Sequence, residues 1–213
     1  MKKTKVLLTL ACAILLVAAS VMGTLAYLTS TDEVKNTFTV GNVQIKLDEA
    51  KANLDGTLVE DVDRVQANSY KLLPGHTYNK DPMVTVLANS EESYVKMTVT
   101  LSHASELEAI FGGEGADLTQ IFTGYESTKW TYKSCSRDTV NNTRTYEFWY
   151  YTTVTPGTAD KALEPLFTHV VVPGTITNAQ LATLADMTIT VNAHAIQADG
   201  FTSAEAAWDA YGA

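Results

Sequence analysis

Residues 95–101 read VKMTVTL, in which Val95, Met97, Val99 and Leu101 alternate with Lys96, Thr98 and Thr100. A period of two means one buried and one wet face, so this stretch predicts a strand on a core. Outward from it the same beat recurs. Ile189, Val191, Ala193 and Ala195 alternate with Thr190, Asn192 and His194, and Val43, Ile45 and Leu47 alternate with Asn42, Gln44 and Lys46. Phe38 and Val40 fall on even positions and Val43 and Ile45 on odd ones, which predicts a bulge or kink at Gly41 and Asn42. Further strands are expected at 84–87, 130–135, 145–153 and 167–172, the last two rich in the aromatic and β-branched residues that suit a pleated surface. Turn chemistry separates them: Asp55-Gly56, Pro74-Gly75, Asn141-Asn142, Pro156-Gly157 and Pro173-Gly174. The expected fold class is mainly β, an antiparallel jelly roll or β-sandwich with short peripheral helices. No internal repeat or low-complexity linker divides it, so residues 27–213 are expected to form a single domain.

Helix is minor. Ser105-x-x-Glu108 and Asp117-x-x-Gln120 read as capping boxes opening short apolar turns, joined by the glycine-rich 112–115 stretch. Thr202-x-x-Glu205 reads as the start of a last helix carrying Trp208 and Tyr211 on one face, expected to pack on the end of the sandwich.

Composition sets the class of partner. The 213 residues are 46% hydrophobic and 18% charged, which is globular composition and excludes wholesale disorder, collagen-like repeats and a multi-span membrane protein. A net charge of −9 argues against nucleic acid, which needs a basic stripe, and against peripheral attachment to anionic lipid.

The N-terminus reads as a secretory leader over 1–26, a signal helix. Lys2, Lys3 and Lys5 precede the uncharged run 6–23, and Thr24-Leu25-Ala26 supplies small residues before a cleavage between Ala26 and Tyr27. The run is long for a signal segment, so an uncleaved anchor is the other reading; either way, membrane contact is expected only through the leader. Cys12 lies within the leader behind a poor lipobox. Once the leader is removed Cys135 is the sole cysteine, which excludes an internal disulfide, and it is expected half-buried on its strand.

Motifs for catalysis are missing. His76, His103, His169 and His194 are dispersed with no HExxH, there is no GxSxG elbow, and FGGEGAD at 111–117 lacks the GK[ST] of a phosphate loop. No catalytic, cofactor-binding or metal residues are therefore assigned. The acidic region 48–63 fails the EF-hand pattern, because Lys51 and Val62 stand where its first and twelfth ligands would be. Weak calcium binding by these acids, outside that motif, is the one cofactor expectation.

The stretch GTLAYLTSTDEVKNTFTVGNVQIKLDEA, residues 23–50, resembles the N-terminus of the TasA/camelysin family of Gram-positive bacteria. The likeness lies in GTLAY-L-T-x-T-D followed by N-x-F-x-V-G-N-V-x-I-x-L. Residues 72–99, LLPGHTYNKDPMVTVLANSEESYVKMTV, are similar to that family's P-G turn and following strand, and residues 189–210, ITVNAHAIQADGFTSAEAAWDA, to its closing strand and helix. The resemblance implies a secreted jelly-roll subunit of extracellular biofilm matrix fibres, processed by a SipW-type signal peptidase. It implies self-association, or co-assembly with related matrix proteins, in which the freed N-terminal segment completes a sheet of the next subunit. Here that donor would be residues 27–39, with Leu28, Val34 and Phe38 as anchors. The same segment reads equally as an edge strand of its own sandwich, with Asp32, Glu33 and Lys35 as edge-protecting charges. A camelysin-like surface metallopeptidase and a monomeric adhesion domain are the rival functions.

Overall fold

A computed structural model of the chain describes residues 41–211. Within them ten strands run in the order β1 (Ile45–Asp48), β2 (Thr77–Asn79), β3 (Met83–Val86), β4 (Ser93–Leu101), β5 (Phe122–Thr123), β6 (Trp130–Asp138), β7 (Thr143–Tyr150), β8 (Lys161–Ala162), β9 (His169–Val171) and β10 (Ile189–Gln197). The helices are α1 (Ala104–Phe111), a 3-10 turn at Leu118–Ile121, α2 (Asn178–Ala182) and α3 (Ala204–Tyr211). No helix among the described residues is long and apolar enough to cross a membrane.

All pairings are antiparallel. They build a four-stranded sheet in the order β10-β4-β7-β6 and two three-stranded sheets, β1-β3-β8 and β2-β9-β5. β4 is the spine. Its residues alternate strictly between buried and half-buried along all nine positions, as the VKMTVTL pattern requires. It pairs with β10 from Ser93↔Gln197 to Leu101↔Ile189 and with β7 from Lys96↔Trp149 to Leu101↔Arg144. Val95, Met97, Val99 and Leu101 on β4 and Tyr146 and Phe148 on β7 join Val84, Val86, Tyr78 and Val170 of the other sheets, with Phe167 ahead of β9, in one buried cluster. The result is sandwich-like, with a single core between the large sheet and the two small ones. The described residues, from Gly41 on, cluster as one compact unit.

Several local expectations change. Residues 41–44 lie outside any strand. They hydrogen-bond irregularly to the segment after β3, through Leu87 N to Gln44 O (2.9 Å), Glu91 N to Asn42 O (2.9 Å) and Gln44 N to the Ser90 hydroxyl (3.0 Å). The strand expected at 145–153 stops at Tyr150. Ser105 does not cap α1: His103 stands at the cap in a left-handed conformation. The free N–H groups of Ala104 and Ser105 are instead met by Asn142, through its backbone and side-chain oxygens at 3.0 and 2.9 Å. Glu108, the other half of the supposed box, turns inward and is buried between Arg137 and Arg144 at 3.1 and 2.8 Å. Asp117 does cap its turn, accepting from Thr119 N at 2.9 Å. α3 is capped by Ser203 rather than Thr202. It lies across the outer face of the large sheet, not its end, with Trp208 beside Trp149 and Lys96. Cys135 is exposed on edge strand β6 rather than half-buried.

Candidate functional site

β1 and β10 are the terminal strands of their sheets. Among the described residues neither has a ladder partner on its outer side, and the two edges flank a groove of about 680 Å³. β10 supplies one wall through Ile189, Thr190 and Val191, continued by Met187; β1 supplies the other through Leu47 and Asp48. Leu72, Tyr78 and Val170 form the deep part, and residues 66–70 the rim. The apolar side chains of β10 explain the opening. Ile189, Val191, Ala193 and Ala195 face the core, yet each is only partly buried, because no strand lies beyond β10 among the described residues.

The β1 wall is held by charge. Arg64 donates from Nε to Asp48 Oδ1 (2.6 Å) and from Nη1 to Asp81 Oδ2 (2.8 Å), and from Nη2 to the backbone oxygens of Asp48 and Asp81 at 3.2 and 2.9 Å. Lys46 adds a second cation to Asp48 at 2.8 Å. Burial would raise the Asp48 carboxyl, but Lys46 and Arg64 together outweigh it and hold it below the usual carboxylate value. Glu49, likewise buried, pairs with Lys80 at 2.5 Å and accepts from Asn68 Nδ2 at 3.0 Å. The Tyr70 hydroxyl donates to Asn79 O at 2.7 Å; burial first and the Glu49 charge second push it up, so it stays protonated. The Tyr78 hydroxyl donates to Lys71 O (2.6 Å) and accepts from Leu73 N (2.7 Å), tying the 71–73 segment to the groove's base. The charges of the β1 wall and the two tyrosine hydroxyls are paired, and beside the polar side chains of Gln66, Ser69, Asp186 and Thr190 the groove offers apolar surface and two strand edges. An extended peptide uses both: its main chain continues a ladder and alternate side chains fill the cavity.

The proposed cleavage residues Ala26 and Tyr27 and the donor anchors Leu28, Val34 and Phe38 lie outside the described residues. The acids of 48–63 are dispersed. Asp48 and Glu49 serve the ion pairs above, Asp55 accepts from Thr57 N and Oγ1 at 3.0 and 2.7 Å, and Glu60, Asp61 and Asp63 are exposed. Among the described residues no three His, Cys, Asp or Glu side chains come together in a way that would hold a metal. His103 starts α1, His169 contacts the Thr168 hydroxyl at 2.8 Å, and His194 meets the Tyr211 hydroxyl at 2.9 Å. Sequence reasoning identified β1 and β10 as strands but missed that they flank a groove, and it missed Tyr70, Leu72 and Met187 altogether. These sit in stretches without periodicity, so no local signal marks them.

No family model, curated protein or solved structure significantly matches this chain. The described residues define an antiparallel, sandwich-like β fold with an open seam between two sheet edges.

Proposed function

We propose that the chain is a secreted structural subunit that assembles head to tail into extracellular matrix fibres by strand addition. The observation that carries the proposal is the β1–β10 groove, where two edges without a ladder partner among the described residues and a half-covered apolar β10 face adjoin one cavity. In this reading a SipW-type peptidase cuts between Ala26 and Tyr27, and residues 27–39 of one copy enter the groove of the next. Leu28, Val34 and Phe38 supply the apolar anchors, and the sandwich is a jelly roll closed by the incoming strand. The contact is heterologous and so propagates without closing, which gives a filament rather than a ring or dimer. Co-assembly with a related matrix protein would use the same groove. The reading is supported by the resemblance of residues 23–50 to TasA/camelysin sequences and by an acidic surface that disfavours nonspecific association.

The test is Val191→Asp in the chain beginning at Tyr27. Val191 lines the groove and packs against the core from its open side, so the charge falls in the groove and part of its cost falls on folding. Filaments of the parent should disappear under negative-stain microscopy while a cooperative thermal transition is retained, its midpoint lowered by about 2–4 °C for each kcal/mol lost. Filaments that persist in the variant would exclude this groove as the acceptor.

A further inference from the structure

At the opposite side of the large sheet, beside β6, a second cleft of about 420 Å³ opens, and its lining is mostly aromatic. Phe122 and Phe167 stack at 4.3 Å between ring centroids on one side. Tyr125 and Tyr132 meet Phe148 at 5.6 and 5.8 Å on the other. Tyr132 is 49% and Tyr125 39% exposed, so both rings reach the mouth. The ladder between β6 and β7 slips at Lys133, a bulge of the kind that re-aims side chains beside binding sites.

The polar content of the cleft selects the ligand. Its one charged lining residue is Asp117. Oδ1 of Asp117 accepts from Thr119 N and Oγ1 at 2.9 and 2.7 Å, whereas Oδ2 has no protein donor among the described residues. Aromatic faces carry negative potential and attract a cation, as does the free carboxylate oxygen, while the net charge of −9 repels anions. Apart from Asp117 the lining's polar side-chain atoms are hydroxyls: that of Tyr125 donates to Trp130 O and keeps its oxygen able to accept, and that of Tyr146 accepts from Leu118 N at 3.1 Å. A primary ammonium must find an acceptor for each of its three N–H groups among these oxygens, whereas a quaternary ammonium has none to satisfy and is held by the rings and the carboxylate charge. We infer that this cleft binds a quaternary ammonium group, either on a free small molecule or on a choline headgroup at a surface.

The experiment is calorimetric titration of the mature chain with choline chloride and, separately, with dimethylbutanol, its uncharged carbon isostere. The expected result is saturable binding of choline about tenfold tighter than the isostere. Asp117→Asn, which keeps the Oδ1 acceptor, and Tyr132→Ala, at a half-exposed ring, should each weaken choline by about tenfold without moving the thermal midpoint. Phosphatidylcholine vesicles that sediment the protein in competition with free choline would support a surface-borne headgroup. Choline binding without vesicle binding would support a free ligand. Absence of saturable choline binding, equal affinity for the isostere, or an unchanged affinity in Tyr132→Ala would overturn the inference.

Discussion

Arg64 is the residue on which the β1 wall of the groove turns. Its guanidinium joins β1, through Asp48, to Asp81 ahead of β3, and a lysine cannot reproduce that fork. Arg64→Lys should cost about 1–2 kcal/mol in urea unfolding; the side chain is 28% exposed, so the full cost of opening a buried pair does not apply. Asp48 supplies the pH dependence. Its carboxyl is lower in the folded state than the ordinary 3.8, so its stabilisation is present above that value and is lost as pH falls through the lower, folded one. Removing Arg64 with Ala should make that acid loss shallower, which urea midpoints taken between pH 5 and 2 would measure. Gly56 shows a different constraint. Its φ is +86°, and a Cβ there would lie 2.6 Å from Tyr78 Cα, so the turn needs glycine both for conformation and for room. Gly56→Ala should destabilise by about 2–4 kcal/mol, and a loss under about 0.5 kcal/mol would contradict the close approach.

At the scale of elements, α3 is fastened to the outer face of the large sheet by a small mixed cluster. Lys96 on β4 pairs with Glu147 on β7 at 3.1 Å and lies 4.6 Å from the centre of the Trp208 ring. His194 on β10 meets Tyr211. Burial first, then Lys96, lowers the His194 pKa below 6.5 against the opposing pull of Glu147. The unfolded chain therefore binds this proton more readily than the folded one. Stability is complete above pH 6.5 and declines below it, and His194→Gln should flatten the decline between pH 7 and 5 in thermal unfolding. The same element shows how far sequence reaches. The spacing of Trp208 and Tyr211 marks a shared helix face, and the alternation in β4, β7 and β10 marks strands. What the face would pack on was misread, because Lys96, Trp149 and His194 come from three strands whose adjacency depends on pairing order. β2, β5 and β8 have two or three residues each, too few to show a period. The cap of α1 comes from Asn142 on the β6–β7 turn, so no local motif encodes it. α2, by contrast, carries a true capping box at Thr177 and Gln180 that was legible and passed over.

For the whole molecule, the large sheet has two edges and each borders an opening. The β10 opening carries aliphatic groups of β10 and faces a second edge that has no ladder partner among the described residues, a combination suited to a strand. The β6 opening is aromatic with one spare carboxylate oxygen and suits a small cation. Neither was visible in one dimension, since each gathers residues up to fifty or more positions apart in the chain onto a common surface only once the sheets form. In the proposed account, processing at Ala26 frees the donor segment, and the groove gives it a place on the next subunit. The most direct measurement is negative-stain microscopy of two purified proteins, one beginning at Tyr27 and one at Gly41, where the compact unit starts. The account predicts filaments from the first and folded monomers from the second, with residues 27–39 added as a peptide blocking growth of the first. Filaments from the protein beginning at Gly41 would contradict donor-strand assembly, as would folded monomers from both.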